Sequence, residues 1–353
     1  MSDETEKIKH QHRKDEHLSL AFKQWQDFNA EWYSEDTSVR LLPNALPEIA
    51  LSEVDLSVDV LGGRFTVPFY IEAMTGGSEK GDVVNAQLAT IARDCDLAMA
   101  VGSQSIALKY PELAAGFRKV REIHAQGFLF ANIGAGHDLE GAKRAVDMIE
   151  ANALEIHING VQELTMRDGE GDRDFHWLDT IAQIADGVGV PVVVKEVGFG
   201  MSQKTFRELS ETGVAAINVG GAGGTDFSEI ERRRGGRLDM GLYGLTAVES
   251  LLEAKLAHNH KPLIATGGLT SALEIARRLV LGATLTSSAG FILSNLIGKG
   301  PDQTESLLME WRSDLQKIYA ALGASNLTAL QETPYVLDEY LTNFVRQRDD
   351  ETN

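Results

Sequence analysis

A (β/α)8 barrel of the α/β class, a TIM barrel preceded by an N-terminal arm and a hairpin, is the fold this sequence predicts. Three observations carry that expectation. Eight short apolar runs lie between residues 69 and 289, helix-period segments alternate with them, and nearly every run ends in small or hydrogen-bonding residues. Almost wholly apolar strands are what a parallel sheet needs when helices cover both faces. Eight β–α units suit a closed barrel, which typically spans about 250 residues. A doubly wound open sheet usually has fewer units and needs a GxGxxG turn after its first strand. MTGGSEKG (74–81) is not that turn.

Taken in order, residues 1–40 are charged and polar, with Phe22, Trp25, Phe28, Trp32 and Tyr33 interspersed, and read as an amphipathic helical arm. LSVDVLGGRFTVPF (56–69) places two alternating segments around Gly62-Gly63, the pattern of a β-hairpin. The strand candidates are FYIEAM (69–74), LAMAVG (97–102), FLFANI (128–133), ALEIHI (153–158), PVVVKEV (191–197), VAAINVG (214–220), PLIATGG (262–268) and ATLTSSA (283–289). Helix candidates between them include 83–95, 140–153, 202–213 and 271–282, with Gly213 and Gly282 where C-cap glycines are expected. Longer insertions, 159–176 and 221–246, follow the fourth and sixth strands, on the face where barrels build their sites. Residues 300–353 add a helix or two and a tail. The expected organisation is an arm and the start of the hairpin over 1–60, the barrel over 61–300, and a helical extension over 301–353.

Composition excludes several classes of function. With 33 basic against 52 acidic side chains, the formal charge of −19 argues against a nucleic-acid backbone or an anionic membrane as the main partner. A single cysteine, Cys95, permits neither an intramolecular disulfide nor a cysteine-based metal site, and reads as a buried packing residue. No apolar run of about 18 residues is present to span a bilayer. The first twenty residues lack the apolar core of a signal peptide. A soluble, cytoplasmic protein is expected.

The strand ends carry the chemistry. Thr75-Gly76-Gly77, Gly102-Ser103-Gln104, Asn132, His157-Ile158-Asn159, Lys195, Gly220 to Thr225, Gly267-Gly268 and Ala289-Gly290 would all meet at one barrel mouth. Together they describe a site for a large polar ligand. Glycines often do no more than make tight turns, yet the loops after strands 7 and 8 bind phosphate in many barrels. TGG (266–268) followed by SAG (288–290) therefore reads as a phosphate cradle. Lys195, at the end of a buried-looking strand, needs an anion, either a ligand or a structural partner such as Glu196. HINGVQE (157–163) sets His157 and Asn159 on one side of an extended segment, with Gln162 and Glu163 beyond. Such a set suits an oxyanion-rich substrate and one hard cation, although a strand-end histidine is often only a structural hydrogen-bonder. RKDEH (13–17) and ERRRGGR (231–237) read from composition alone as solvated surface, the latter also as a possible subunit contact.

In order along the chain, RKDEH, EAMTGG (72–77), VGSQ (101–104), ANIG (131–134), HINGVQE, VKEVGFGMS (194–202), GGAGGT (220–225) and TGGL (266–269) resemble the type 2 isopentenyl-diphosphate isomerases, FMN-dependent barrel enzymes. The resemblance runs from about residue 13 to residue 297. It implies interconversion of isopentenyl and dimethylallyl diphosphate, in isoprenoid biosynthesis, with reduced FMN, Mg2+ and NADPH as reductant. By similarity, Arg13, Lys14, His17, His157, Asn159 and Gln162 would reach the diphosphate, and Glu163 would hold Mg2+. Met74, Thr75, Gly76, Ser103, Asn132, Lys195 and Thr225 would line the flavin, with Gly267, Gly268, Ala289 and Gly290 on its phosphate. Flavin N5 would be the acid–base centre, with Gln162 orienting substrate or relaying a proton and His157 beside it. A homo-oligomer, tetramer or octamer, is implied as well. The chain departs from the family's usual residues at Ser105, Thr270 and 243–247. The competing expectation is an FMN-dependent 2-hydroxy-acid dehydrogenase, which needs a histidine base and an arginine pair at the later strand ends. A third is a non-catalytic flavin-binding protein.

Overall fold

Each of the eight apolar runs forms a strand, and the strands close into one barrel. The structure is a computed structural model that describes residues 3–27, 38–167, 171–241 and 243–349. In chain order, β1 (Val39–Leu41), β2 (Val58–Val60) and β3 (Gly63–Phe65) precede the barrel. The barrel strands are β4 (Phe69–Ile71), β5 (Met99–Ala100), β6 (Leu129–Gly134), β7 (Ala153–Ile158), β8 (Val192–Glu196), β9 (Ala216–Asn218), β10 (Leu263–Thr266) and β11 (Leu285–Ser288). Each pairs in parallel with its sequence neighbour, and β11 closes the ring on β4. The helices between them start where the sequence supplies caps. Ser78, Asp138, Thr246 and Ser271 each accept a backbone N–H of the helix that follows, which satisfies a donor that would otherwise lack a partner.

Strand parity sorts the side chains. On β7, Leu154 and Ile156 join the apolar layer beneath the helices, while Ala153 and Glu155 face the interior. The lower interior is apolar: Phe130, Ala153, Val193, Ala216, Ile264 and Leu285 pack together, with Phe130 stacked on Tyr70 at 4.8 Å. The β2–β3 hairpin plugs this end through Val58, Leu61 and Phe65. Its turn falls on Leu61-Gly62, one residue earlier than Gly62-Gly63. Both turn residues have positive φ, 56° and 73°, the type I′ pattern that suits hairpin twist. Leu61 accepts that backbone because its side chain is buried in the plug.

Two further features differ from the expectations. Gly282 follows its helix with φ 108°, as a C-cap glycine should, but Gly213 is not among the positive-φ glycines. The helix before it ends at Ser210, and the Thr212 hydroxyl donates to the Leu209 carbonyl instead. The C-terminal segment holds three helices, Pro301–Leu322, Leu327–Gln331 and Glu339–Arg348, and also β12 (Tyr335–Leu337), which pairs antiparallel with β1. The arm is a helix, Asp3–Asp27, which packs against the helix Gly290–Lys299. Of its aromatics, Phe28, Trp32, Tyr33 and the side chain of Trp25 lie outside the described residues. Cys95 is buried, as expected.

Candidate active site at the barrel mouth

Above the apolar plug, the interior becomes charged. Lys195 Nζ lies 2.8 Å from Glu72 Oε1 and 3.7 Å from Glu155 Oε2, all three side chains being buried. Glu72 Oε2 also accepts from Ser287 at 2.7 Å, Asn218 at 2.8 Å and Thr266 at 3.1 Å. Glu155 accepts from the Tyr70 hydroxyl at 2.9 Å and from Asn132 Nδ2 at 3.0 Å. Burial opposes ionisation of Glu72, but Lys195 and the hydrogen bonds hold its pKa down to about 2. Glu155 moves the other way, pushed up to about 8 by burial and then by the charge of Glu72. Burial pulls the Lys195 ammonium down, and the two carboxylates outweigh it and raise it. At neutral pH one ammonium therefore faces one carboxylate, with the second carboxyl protonated.

Glu196, the neighbour proposed for Lys195, has another role. Its carboxylate accepts the Phe199 and Gly200 N–H groups at 2.8 and 2.6 Å and shapes the loop after β8.

A cleft, partly open to solvent, lies over this floor. Its lining brings together Met74, Lys195, Thr225, Gly267, Gly268, Ala289 and Gly290 of the expected set, and also His17. Gly267 and Gly268 have φ of 107° and 70°. A Cβ on Gly267 would meet the Gly221 carbonyl at 3.2 Å, so glycine lets these two loops approach. The helix Gly290–Lys299 begins at the cleft with its N-terminal N–H groups there, a natural seat for phosphate. Thr75, Gly76, Ser103 and Asn132 are not among the lining residues; they flank the cleft on neighbouring strand ends. Thr75 Oγ1 is buried without a hydrogen-bond partner.

Beside the cleft stand the HINGVQE loop and the arm. Asn132 Nδ2 donates to Glu155, so its Oδ1 faces His157 Nδ1 at 2.8 Å and accepts from it. That bond leaves the lone pair on His157 Nε2. Burial first, then the Lys195 and Lys14 charges, lower the His157 pKa to about 3, so the ring is neutral. Asn159 caps the helix Gly160–Thr165, accepting Gln162 N–H at 2.8 Å, and its Nδ2 donates to the Val197 carbonyl. Both ends of this amide thus hold backbone. Glu163 Oε2 accepts the Asp172 N–H at 2.6 Å, and burial raises its pKa.

The reading of RKDEH as solvated surface is overturned. Lys14 Nζ donates to the Ser103 carbonyl at 3.1 Å, Ser78 Oγ donates to Asp15 at 2.5 Å, and Glu16 meets Arg234 at 2.8 Å. Arg13 and His17 reach Glu231 at 3.5 and 2.8 Å. The ERRRGGR stretch divides: Arg232, Arg233 and Arg237 are exposed, as expected, whereas Glu231 and Arg234 are buried against each other and the arm.

Comparison with known proteins fits this geometry. The FMN-dependent dehydrogenase family profile matches residues 141–337. The isopentenyl-diphosphate delta-isomerase of Lactococcus lactis subsp. lactis is 58% identical over 348 residues, covering 98% of this chain and 99% of that protein. That of Latilactobacillus sakei subsp. sakei is 45% identical, covering 96% of each. The chain belongs to the isopentenyl-diphosphate delta-isomerase family. Among solved structures, a lactate oxidase of Pediococcus acidilactici superposes with a TM-score of 0.65 at 15% identity, covering 92% of this chain and 95% of that one. A mandelate oxidase bound to (S)-2-phenylpropionate gives 0.59 at 16%, covering 85% and 87%. At such identities the likeness concerns the fold alone.

For an isomerase of this family, FMN is the group to test, and the residues fit it. The glycine loops and the helix N-terminus match a phosphate, the cleft matches a ring system, and Lys195 is a fixed cation on the floor. Sequence reasoning missed Tyr70, Glu72, Glu155, Asn218 and Ser287. One signal was available: Glu155 and His157 share inward parity within an otherwise apolar ALEIHI run.

Proposed function

We propose that the chain interconverts isopentenyl and dimethylallyl diphosphate at the barrel mouth, with FMN in the cleft, Mg2+ on Glu163 and NADPH supplying the reduction. The observation that carries the reading is the pairing of two anion grounds in one mouth. A glycine-lined cleft ends on a helix N-terminus, and the arm sets Arg13, Lys14 and His17 beside it. In a chain of charge −19, local cations and N–H groups are what allow two phosphorylated molecules to bind.

The allylic shift adds a proton at one carbon and removes one from a neighbour, with no net redox change. Reduced flavin, when bound, supplies electron-rich density against the carbocation-like state and the acid–base centre. The chain's residues do the rest. Arg13 and Lys14 neutralise diphosphate oxygens, and His17, whose Nε2–H is held by Glu231, donates from Nδ1 only in its protonated form. Asn159 fixes the loop that presents Gln162 and keeps a second N–H for the diphosphate, while Gln162 orients substrate or relays a proton. Neutral His157 offers an Nε2 lone pair and no charge, which makes it a polar wall and hydrogen-bond acceptor beside the substrate. Glu163 would hold Mg2+, a hard ion that would neutralise diphosphate charge. Among the described residues no group of three or more acidic, histidine or cysteine side chains forms a cage, and such an ion needs none.

Hydroxy-acid oxidation is not favoured. Gly220–Thr225, Thr266–Thr270 and Ser288–Gly290 contain neither the histidine nor the arginines it requires. A cytoplasmic setting agrees with the fact that no helix among the described residues can cross a membrane. Assembly as a tetramer or octamer would cover the exposed Leu164, Phe175 and Tyr243 of the two insertions, and light scattering measures it. The decisive assay is anaerobic: isopentenyl diphosphate with FMN, Mg2+ and NADPH should yield dimethylallyl diphosphate, and omission of flavin or Mg2+ should abolish it. No product, or oxidation of lactate in its place, would refute the proposal.

A further inference from the structure

Glu231 lies on the short helix Phe227–Arg233, in the insertion after β9, with its side chain closed to solvent. Three basic side chains converge on it. His17 Nε2 is 2.8 Å away, Arg234 2.5 Å and Arg13 3.5 Å. Arg234 also meets Glu16 at 2.8 Å, so the insertion and the arm are clasped at two points. The ring of Phe227 stands edge-on to His17, 5.7 Å between centroids, and closes the contact on its apolar side. Burial opposes ionisation of Glu231, but the His17 hydrogen bond and the Arg13 charge hold its pKa at about 2. A carboxylate so buried is tolerated only while these partners stay in place.

The placement matters for what the arm does. Arg13 and His17 are two of the three side chains assigned above to the diphosphate, and both are tethered by the same carboxylate. Arg13 has five N–H donors in a planar fork; its contacts with Glu231 and with Met166 Sδ at 3.0 Å both use Nη2, which leaves Nε and Nη1 to face an anion. Arg234 offsets the charge of Glu231, so the tether does not set an uncompensated anion beside the diphosphate ground.

We propose that Glu231 is a positioning residue: it pins the N-terminal arm over the mouth and aims Arg13 and His17, without itself touching the substrate. The proposal rests on the functional reading above for the identity of the anion, and on the clasp alone for the pinning. Its test uses the full-length, FMN-loaded protein and compares wild type with Glu231→Gln, which keeps shape and removes charge. Trypsin cleavage after Lys9, Arg13 and Lys14, followed by mass spectrometry without substrate, should be roughly tenfold faster or more in the variant. The dissociation constant of inorganic pyrophosphate with Mg2+, measured by calorimetry, should rise by a similar factor. The KM for isopentenyl diphosphate should rise more than kcat falls, and FMN affinity should not change. Glu231→Asp, which restores the charge on a shorter stem, should recover part of both protection and pyrophosphate binding. Unchanged cleavage in Glu231→Gln would overturn the pinning. Faster cleavage with unchanged pyrophosphate affinity would overturn the aiming. A fall in kcat alone would place Glu231 in the chemistry and overturn the positioning role. A wild-type protein that does not bind pyrophosphate would count against the functional reading, and the cleavage rates would still decide the pinning.

Discussion

The lower and upper halves of the barrel interior are built from the same strands with the same parity, yet they share almost no chemistry. Below, Phe130, Ala153, Val193, Ala216, Ile264 and Leu285 pack under an apolar hairpin. Above, two residues further along the same strands, Glu72, Glu155, Lys195, Asn132, Asn218 and Ser287 are just as buried and entirely polar. The lower half stabilises by removing apolar surface from water. The upper half must satisfy every charge it buries, and it does so through one ammonium shared between two carboxyls. Burial alone therefore does not mark a core in this molecule. The boundary between the halves marks where the fold ends and the site begins.

Substitutions on each side of that boundary sharpen the contrast. Lys195→Met leaves Glu72 and Glu155 without their cation, and should cost about 3–5 kcal/mol of folding stability in chemical denaturation. Leu285→Ala opens a cavity in the plug and should cost about 2–5 kcal/mol. Unlike Lys195→Met, it should leave KM and kcat of the folded enzyme unaltered; a changed KM would break the division between halves. Glu155→Gln separates the two in pH. Folded Glu155 titrates near 8 against an ordinary value of 4.5, so the folded state keeps a proton that the unfolded chain releases. Wild type should then lose up to about 1.4 kcal/mol per pH unit relative to the variant between roughly pH 5 and 8. Parallel stability curves for the two proteins would show that Glu155 is ionised in its site. The smallest effect belongs to the outer layer. Ser271→Ala removes the cap of the helix after β10 and should cost about 1 kcal/mol with no change in activity, measured by thermal melting and steady-state rates.

The two halves also differ in how far the sequence revealed them. All eight strands were legible, because a doubly covered parallel strand must be apolar and the glycine-rich ends punctuate it. The glycine loops of the cleft were legible for the same reason, since glycine at 267 and 268 is demanded by backbone geometry. The floor was not. Glu72 and Glu155 meet Lys195 across 123 and 40 positions of chain, and no local pattern says which buried carboxylate faces which cation. The arm was misread for a related reason. RKDEH is soluble by composition, and only its distant partners Ser78, Ser103, Glu231 and Arg234 turn it into a clasp. β12 escaped notice because a three-residue strand pairing with β1 carries no periodicity of its own. Asn159 carries a second role that its polarity did not announce: its amide accepts the Gln162 N–H and donates to the Val197 carbonyl, which fixes the loop.

The most direct test of the division is FMN affinity, titrated by quenching of flavin fluorescence in wild type, Lys195→Met and Leu285→Ala. If the charged upper layer is the floor of the flavin site, the dissociation constant should rise roughly tenfold or more in Lys195→Met and stay at the wild-type value in Leu285→Ala. Equal affinities in all three proteins would contradict that assignment.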